Sequence, residues 1–427
     1  MTLGLLLGVL IVDTLRLGAG VHQGPLVLSR PTIVLAAPGA VLRGTGAGTV
    51  LEVRAAGSVV RGLRIENGGR DPDAYDAGVL VAADSVLLED LVIRDVLFGV
   101  FVREGRGVVI QRLDIAGRPA ARESERGDGI SFYHSRGAVA AGNHIAHVRD
   151  GMYFSYSDSI TVVDNTVTRV RFGLHYMFSH ANHFDRNVFT DNAAGAVIMF
   201  SRGVTITDNV FAWNAGARSY GLVLQQATDA IVTGNLLVGN GVGIFFDNVI
   251  RGTFTDNVVA GNWLGLKLFS NSEATRITGN AILANTFATT GGSDSAAYRL
   301  CVDGRGNYWG AGGYDLRGDG VLDVPHTASS PLAELALTRE GLRLWLNSPA
   351  ATTLAWAERT FPVFALNAAT DRCPLAAPPR PVMLSRLPPA PAARSGGLAG
   401  QSVAAGLTLF AGLAVLSAGR RRWRRRP

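Results

Sequence analysis

The sequence is poor in charged residues and in lysine, and each shortage limits the classes of protein to which it can belong. Charged residues make up 17% of the 427 residues and hydrophobic residues 47%, which is ample apolar material for a continuous core. Lys267 is the single lysine, and six arginines fall within the last eight positions, so the net charge of +6 comes almost entirely from the C-terminus. No basic stripe is left for a nucleic-acid interface, and we expect no nucleic-acid partner.

Cysteine and catalytic motifs are also scarce. Only Cys301 and Cys373 occur, and their spacing matches no zinc-binding motif. A disulfide between them fits an oxidising compartment, whereas two separate thiols or a soft-metal pair are the alternatives. The sequence has no nucleophile elbow, zincin motif or phosphate-binding loop, so no catalytic motif can be recognised from residue spacing.

The sequence does contain a long repeat marked by glycine. A glycine followed by alternating apolar residues recurs in nine places, mostly 22 residues apart, with insertions at about 117–126 and 216–219. Short period-2 strands at this interval are typical of a solenoid. We therefore predict an all-β, right-handed parallel β-helix of about ten rungs over residues 13–300. The repeat glycines are Gly78, Gly99, Gly129, Gly151, Gly173, Gly195, Gly221, Gly243 and Gly265.

Two columns of asparagine keep the same period. Inward-facing asparagines stacked at a bend can bond to one another and to the backbone along the solenoid axis. Leu63, Leu91 and Leu113 hold the first column's position in earlier coils, where packing would fill the same space. We interpret both columns as architecture and not as an active site. They are Asn143, Asn165, Asn187, Asn209, Asn235, Asn257 and Asn280, and Asn192, Asn214, Asn240, Asn262 and Asn285.

The two ends differ in composition from the repeats. Residues 1–12 are a short apolar run, interpreted as a leader remnant or the result of a misplaced start. Residues 301–373 are expected to form a cap with a short helix opened by Ser348 and Pro349, and residues 374–397 a stiff extended tether. Uncharged residues 398–418 precede the arginine cluster at 419–427, which predicts a transmembrane helix with a cytoplasmic tail or a cleaved sorting signal. Either anchor leaves the solenoid outside the cytoplasm.

The outward positions of the strands bear on whether the protein is an enzyme. A β-helix that cleaves polysaccharides needs clustered carboxylates on one outer face, but the second and fourth positions after the repeat glycines from Gly129 to Gly265 offer only Asp247. They offer instead His175, Met177 and Met199, whose imidazole and thioether groups suit a transient Cu(I) ion. An apolar docking surface with methionine as adaptable filler is the alternative. Three further histidines are expected nearby: His134, His180 and His183.

Three blocks of the sequence resemble the NosD family of nitrous oxide reductase maturation proteins. They are FGLHYMFS at 172–179, GNYWG at 306–310 with GYDLRGDGVLDVP at 313–325, and SPAATTLAWAERTFPV at 348–363. The resemblance covers about residues 13–378. It implies a periplasmic protein, not an enzyme, that helps to assemble the copper centres of nitrous oxide reductase. Its implied partners are an ABC transporter permease and ATPase, a copper chaperone lipoprotein and the reductase. The C-terminal apolar segment departs from the family pattern.

The second block also contains a possible calcium motif. Asp315, Asp319 and Asp323 have the spacing of an EF-hand loop, but Arg317 and His326 stand where calcium requires carboxylates. We therefore predict a tight, glycine-dependent turn and no calcium site. Polysaccharide binding or cleavage and a surface-sorted adhesive rod are the alternative functions.

Overall fold

A computed structural model describes residues 12–216, 219–291, 297–310, 312–328, 331–339, 345, 348–350, 353–354, 357, 369–379 and 386–391. Over these residues the chain is an all-β parallel solenoid with very little helix. Each full coil adds one short strand to each of three sheets, which we call A, B and C in the order in which the chain passes through them. The chain divides into two compact units, residues 1–165 and 166–427.

The first unit contains seven strands of sheet A, six of sheet B and six of sheet C among its described residues. Sheet A consists of Asp13–Leu17, Thr32–Ala36, Val59–Arg61, Leu87–Glu89, Val109–Gln111, Val139–Ala141 and Thr161–Val163. Sheet B consists of Gly20–Gln23, Ala40–Arg43, Arg64–Glu66, Val92–Arg94, Asp114–Ala116 and His144–Ala146. Sheet C consists of Leu26–Leu28, Leu51–Val53, Ala77–Val81, Phe98–Arg103, Ile130–Tyr133 and Asp150–Ser155. A short 3-10 helix, Glu123–Glu125, lies in the predicted insertion.

The second unit contains six described strands in each sheet. Sheet A consists of His183–Asp185, Thr205–Thr207, Ile231–Thr233, Thr253–Thr255, Thr275–Thr278 and Tyr298–Arg299. Sheet B consists of Thr166–Thr168, Val188–Thr190, Val210–Ala212, Leu236–Val238, Val258–Ala260 and Ala281–Leu283. Sheet C consists of Phe172–Met177, Ala194–Arg202, Tyr220–Thr228, Val242–Ile250, Leu264–Leu268 and Phe287–Gly291. An antiparallel pair, His326–Thr327 with Thr370–Asp371, and the α-helix Pro331–Thr338 follow.

The solenoid prediction is confirmed, but the estimate of about ten rungs is too low. Sheet A has thirteen described strands, seven in the first unit and six in the second. The missed coils lie before Gly78 and after Gly265. The coils that begin with the sheet A strands Asp13–Leu17, Thr32–Ala36, Thr275–Thr278 and Tyr298–Arg299 have no repeat glycine to mark their register.

The repeat glycines align in one column within each unit because no side chain would fit at their position. A Cβ atom on Gly195 would lie 2.5 Å from the Gly221 carbonyl oxygen and 2.8 Å from Cδ1 of Phe211. The same clash with the next coil's backbone occurs at Gly129, where the Gly151 carbonyl would be 2.6 Å away. Close approach of backbone to backbone is a recurrent reason for glycine in a strand.

The first asparagine column forms the predicted ladder and extends beyond it. Along the column, an asparagine Oδ1 accepts hydrogen bonds from the preceding residue of the column, as where Asn209 N and Nδ2 donate to Asn235 Oδ1 at 2.9 and 3.0 Å. The column continues to Asn307, whose backbone N donates to Asp371 Oδ2 at 2.7 Å. Trp309 Nε1 donates to the same oxygen at 2.9 Å. Burial raises the pKa of Asp371, although these donors oppose the shift.

A disulfide and a capped turn close the second unit. Cys301 and Cys373 are bonded, with Cα atoms 5.5 Å apart, which confirms the disulfide interpretation. Asp315 accepts hydrogen bonds from the backbone N–H groups of Gly318, at 2.7 Å, and Gly320, at 2.9 Å. Both glycines have positive φ, so this is the glycine-dependent turn that the sequence predicts.

Several predicted segments lie outside the described residues. They are residues 1–11 of the leader run, most of the helix predicted from Ser348, and the apolar and basic segments at 398–427. Those predictions stay predictions. Among the residues that the structure describes, no helix combines the length and the apolarity needed to span a bilayer.

Candidate functional site on the outer face of sheet C

The predicted site residues lie on the strands Phe172–Met177 and Ala194–Arg202 of the second unit. Leu174 and Tyr176 are fully buried in the core. His175 and Met177, which alternate with them, are half-buried on the outer face. This alternation follows from the two-residue period of a strand. Met199 is half-buried in the same way on the next coil.

The sheet register brings the two methionines side by side. Met177 is paired with Met199, and His175 is paired with Val197. Adjacent strands lie about 4.8 Å apart, so the two thioethers can approach one ion, and His175 lies on the same face two residues before Met177. The predicted exposure and adjacency are therefore present, and Cu(I) binding by these three side chains stays a prediction.

The surroundings of the methionines are apolar and aromatic. Val197 and Val223, although they face outward, are 9% and 6% exposed because larger side chains cover them. These covering side chains are Phe172, Met199, Tyr220 and Phe245. Such a surface suits a soft, weakly hydrated ion, and it suits protein docking equally well.

An aromatic pair beside the methionines was missed in the sequence. Phe178 and Phe200 directly follow Met177 and Met199, and their rings stack with centroids 4.8 Å apart. Both residues have φ near +50°, so the backbone turns there and the strand alternation no longer holds. The signal that could have revealed them is an aromatic residue at the fifth position after successive repeat glycines.

On the coils after Met199, the side chains at the equivalent outward position of sheet C form a polar network. Gln225 is paired with Met199 and with Asp247 on either side. Gln225 Nε2 donates to Asp247 Oδ2 at 3.0 Å, and Asn271 Nδ2 donates to Asp247 Oδ1 at 2.8 Å. Both oxygens of this carboxylate are thus held by amides, which gives Asp247 a structural explanation.

None of the three further histidines lies on the strand Phe172–Met177. His183 lies on sheet A, where it is paired with Thr205, because residues 178–182 carry the chain from sheet C to sheet A. His180 lies in that turn and accepts a hydrogen bond from Arg202 N at its Nδ1. His134 belongs to the first unit, where it stacks on Tyr156 with ring centroids 5.0 Å apart.

Two buried aspartates of the first unit lie just outside the positions that the count of outward carboxylates covers. Asp128 and Asp150 each precede a repeat glycine on adjacent coils, and Gly129 N donates to the Asp150 carbonyl. Ser131 Oγ donates to Asp128 Oδ2 at 3.2 Å. Burial raises the pKa of the nearby Tyr153 hydroxyl, and the charges of both aspartates add to the shift. The count of outward positions began after each repeat glycine, so it did not include the position just before the glycine.

Within the described residues, no group of three or more His, Cys, Asp or Glu side chains could hold a metal ion. Met177 and Met199, whose thioether groups are not among these four side-chain types, are paired on adjacent strands.

Residues 103–313 match the family described as periplasmic copper-binding protein (NosD). The chain is 37% identical over 378 residues to the probable ABC transporter binding protein NosD of Stutzerimonas stutzeri, covering 84% of this chain and 86% of that protein. It is 39% identical over 386 residues to the protein of the same name from Pseudomonas aeruginosa, covering 86% and 89%.

Among solved structures, the A-module of the mannuronan C-5 epimerase AlgE6 from Azotobacter vinelandii aligns with a TM-score of 0.55. The alignment covers 65% of this chain and 87% of that chain at 13% identity, and it shows the fold alone. Membership rests instead on the two relatives, which match this chain over most of its length. The chain belongs to the NosD family of periplasmic copper-binding proteins.

Proposed function

We propose that this protein is a periplasmic accessory protein, not an enzyme, that works with an ABC transporter in the maturation of the copper centres of nitrous oxide reductase. Both relatives are named as probable ABC transporter binding proteins, which supports a transporter partner. At the level of residues, the proposal rests on one observation. Met177 and Met199 are paired on adjacent strands of one outer face that also contains His175.

Cu(I) is the cargo in this proposal and not a resident cofactor. A copper chaperone lipoprotein delivers the ion, and His175, Met177 and Met199 hold it before it passes to the reductase. Thioether and neutral imidazole ligands match the softness of Cu(I) but leave its charge uncompensated, so binding is weak enough for release. The half-buried position of the three side chains leaves one side open to a partner's ligand.

Docking of a partner on the same face is the second version of the proposal. The stacked pair Phe178 and Phe200 adds an adaptable apolar area next to the methionines. In this version, apolarity is required and the sulfur atoms are not. Substitution by leucine separates the two versions because it keeps the volume and the apolarity.

The test is the double substitution Met177→Leu, Met199→Leu in the full chain. If copper passes over this face, the variant folds, loses Cu(I) in competition with a chromogenic Cu(I) chelator, and lowers the copper content of the reductase in cells at least tenfold. Met152→Leu is the matched control, since Met152 is a fully buried sheet C residue of the first unit. Normal reductase copper content with both leucine and aspartate replacements would eliminate both versions.

Action on a polysaccharide is the second candidate function, and one observation favours it. Asp128 and Asp150 hold equivalent positions on adjacent coils beside Ser131 and Tyr153. A pair of carboxylates is the minimum for acid and base chemistry on a glycan, although these two are only 8% and 1% exposed. Release of unsaturated or reducing ends from a uronate polymer by the purified protein, abolished by Asp150→Asn, would replace the copper proposal.

Anchoring to the inner membrane completes the proposal. Residues 398–418 would form the span and residues 419–427 the cytoplasmic tail. Carbonate extraction of membranes tests this directly, by comparing the full chain with a chain that ends at residue 397. Release of both into the soluble fraction would remove the anchor from the proposal.

A further inference from the structure

The outer face of sheet B in the second unit is apolar, yet it is buried. Phe211 and Leu237 point into the core, so the residues on either side of each face outward. These outward residues are nevertheless less than 10% exposed, as is Trp213 at the end of its strand. The cluster consists of Val210, Ala212, Trp213, Leu236, Val238 and Ala260.

The segment that covers this face is residues 386–391, with the sequence RLPPAP. Leu387 and Ala390 pack against the cluster. Trp213 Nε1 donates to the Pro388 carbonyl oxygen at 3.0 Å. Arg386 donates from Nη1 to the Asp208 carbonyl oxygen at 2.7 Å and from Nη2 to the Arg186 carbonyl oxygen at 2.8 Å. The proline-rich residues are therefore more than an extended tether.

Apolar packing combined with hydrogen bonds to backbone carbonyl oxygens is how proteins recognise proline-rich segments. Such segments are already extended before binding, so they lose little conformational entropy, and they fit apolar grooves lined by aromatic side chains. Pro388, Pro389 and Pro391 have no backbone N–H, so an apolar groove leaves no donor of theirs unpaired. The indole N–H meets a carbonyl that the segment cannot satisfy internally, and Arg386 sets the register at one end.

The contact is small enough to be reversible. Among the residues that the structure describes, three hydrogen bonds and two partly buried aliphatic side chains hold the segment. Local opening of elements with few buried contacts is common in native proteins. An opened segment would leave the aliphatic cluster and Trp213 exposed together as one contiguous apolar patch, which soluble proteins rarely leave uncovered.

We propose that the outer face of sheet B in the second unit is a binding site for an arginine- and proline-containing segment, occupied in cis by residues 386–391. A competing segment of the same chemistry displaces the internal one and releases the C-terminal region from the solenoid. This site is independent of His175, Met177 and Met199 and holds whether or not the protein carries copper.

The experiment uses the full chain and a fluorescent peptide of residues 384–391, with binding measured by fluorescence polarisation. In the variant Arg386→Ala, Leu387→Asp the internal segment loses two hydrogen bonds and its apolar contact, so the peptide should bind at least tenfold more tightly than to the unsubstituted chain. Adding Trp213→Phe removes the indole donor and keeps a ring, and should weaken peptide binding about fivefold. Trp263→Phe, on sheet C's side of the coil, is the matched control and should leave binding unchanged.

The milder variant Arg386→Ala alone keeps the proposal testable if the double variant does not fold. It should bind the peptide more tightly than the unsubstituted chain and less tightly than the double variant. Equal peptide affinity of the unsubstituted and opened chains overturns the proposal, as does binding that is insensitive to Trp213→Phe. Self-association of the opened variant that the peptide reverses supports it, because a second copy then supplies the same segment.

Discussion

The outer face of sheet B has opposite character in the two units, although the inward residues of the same strands are alike. In the first unit it is charged: its outward side chains include Arg43, Arg64, Glu66, Arg94, Asp114 and His144. In the second unit the equivalent positions are mostly aliphatic, and those from Val210 to Ala260 form a buried cluster against which Leu387 and Ala390 pack. The solenoid fixes only what points inward, so outward residues reflect what the surface meets, solvent in one unit and a peptide segment in the other.

The interiors of the two units differ as well, at the asparagine column. In the first unit Leu63, Leu91 and Leu113 hold this position before Asn143, and in the second it is asparagine from Asn187 to Asn307. A leucine needs only space. An asparagine in the middle of the ladder also supplies the acceptor for its neighbour, so a change at one rung leaves the adjacent rung unpaired.

The largest expected effect comes from breaking this ladder with Asn209→Leu. Asn187 N and Nδ2 would lose the acceptor Asn209 Oδ1, and the Phe184 and Thr207 carbonyls would lose a donor. Several buried polar groups left unpaired should cost about 4 kcal/mol of unfolding free energy. Urea denaturation followed by circular dichroism measures it.

Asn143→Leu is the matched control for the ladder. The residue before it in the column is Leu113, which donates only its backbone N to Asn143 Oδ1. The loss should therefore be about half as large. Equal losses at the two positions would show that the ladder does not act as a chain of coupled bonds.

The second prediction compares the two sheet B faces by placing a carboxylate on each. Leu236→Asp puts a charge beneath residues 386–391, and we expect a loss of about 3 kcal/mol or detachment of the segment. Val92→Asp, the equivalent change in the first unit, lies between Arg64 and Asp114 on a solvated face. The attraction and the repulsion oppose each other there, and the change should cost under about 1 kcal/mol. Chemical denaturation gives both values, and limited trypsin cleavage after Arg386 reports detachment.

The inward pattern could be predicted from the sequence and the outward partners could not. Gly195 and Asn209 recur because the next coil leaves them no alternative, so their spacing reveals the fold. Residues 386–391 have the composition of an extended segment, but nothing local indicates that they pack on Trp213. Asp371 ends the ladder from 64 residues beyond Asn307, a pairing that only the folded chain brings about.

The candidate site was predictable in part for the same reason. Counting outward positions along a strand located His175, Met177 and Met199 correctly on one face. The count failed where the backbone leaves the regular strand, at Phe178 and Phe200, whose positive φ breaks the alternation. The count also started after each repeat glycine, so it did not include Asp128 and Asp150, which directly precede one.

A third prediction uses pH to distinguish the capped second unit from the solvated face of the first. His326 stacks on Trp309 with ring centroids 4.9 Å apart, and burial lowers its pKa to about 4. The unfolded chain, with the ordinary pKa of 6.5, then binds more protons between the two values, so stability is full above pH 6.5 and falls as the pH drops towards 4. The shift corresponds to at most about 3 kcal/mol.

The variant His326→Phe isolates this contribution, since it keeps a ring against Trp309 and removes the titration. Asp371, whose raised pKa favours the folded state at low pH, is common to both chains, so its contribution cancels in their difference. The difference in unfolding free energy between the two chains should therefore shrink or change sign as the pH falls from 7 to 4.5. Parallel pH profiles would contradict the assignment to His326.

The smallest effect is expected on the charged face of the first unit. Arg94 donates to the Asp114 carboxylate and, from Nη1, to the Asp114 carbonyl oxygen at 2.6 Å. Its side chain is 28% exposed and that of Asp114 is 47% exposed, so water and salt screen the pair. Arg94→Ala should therefore lower the unfolding free energy by under about 1 kcal/mol. The loss should decrease further in 0.5 M salt, where the Debye length is about 4 Å. A loss as large as that of Leu236→Asp, unchanged by salt, would mean that the charged face is as tightly organised as the covered one, and the contrast between the two units would fail.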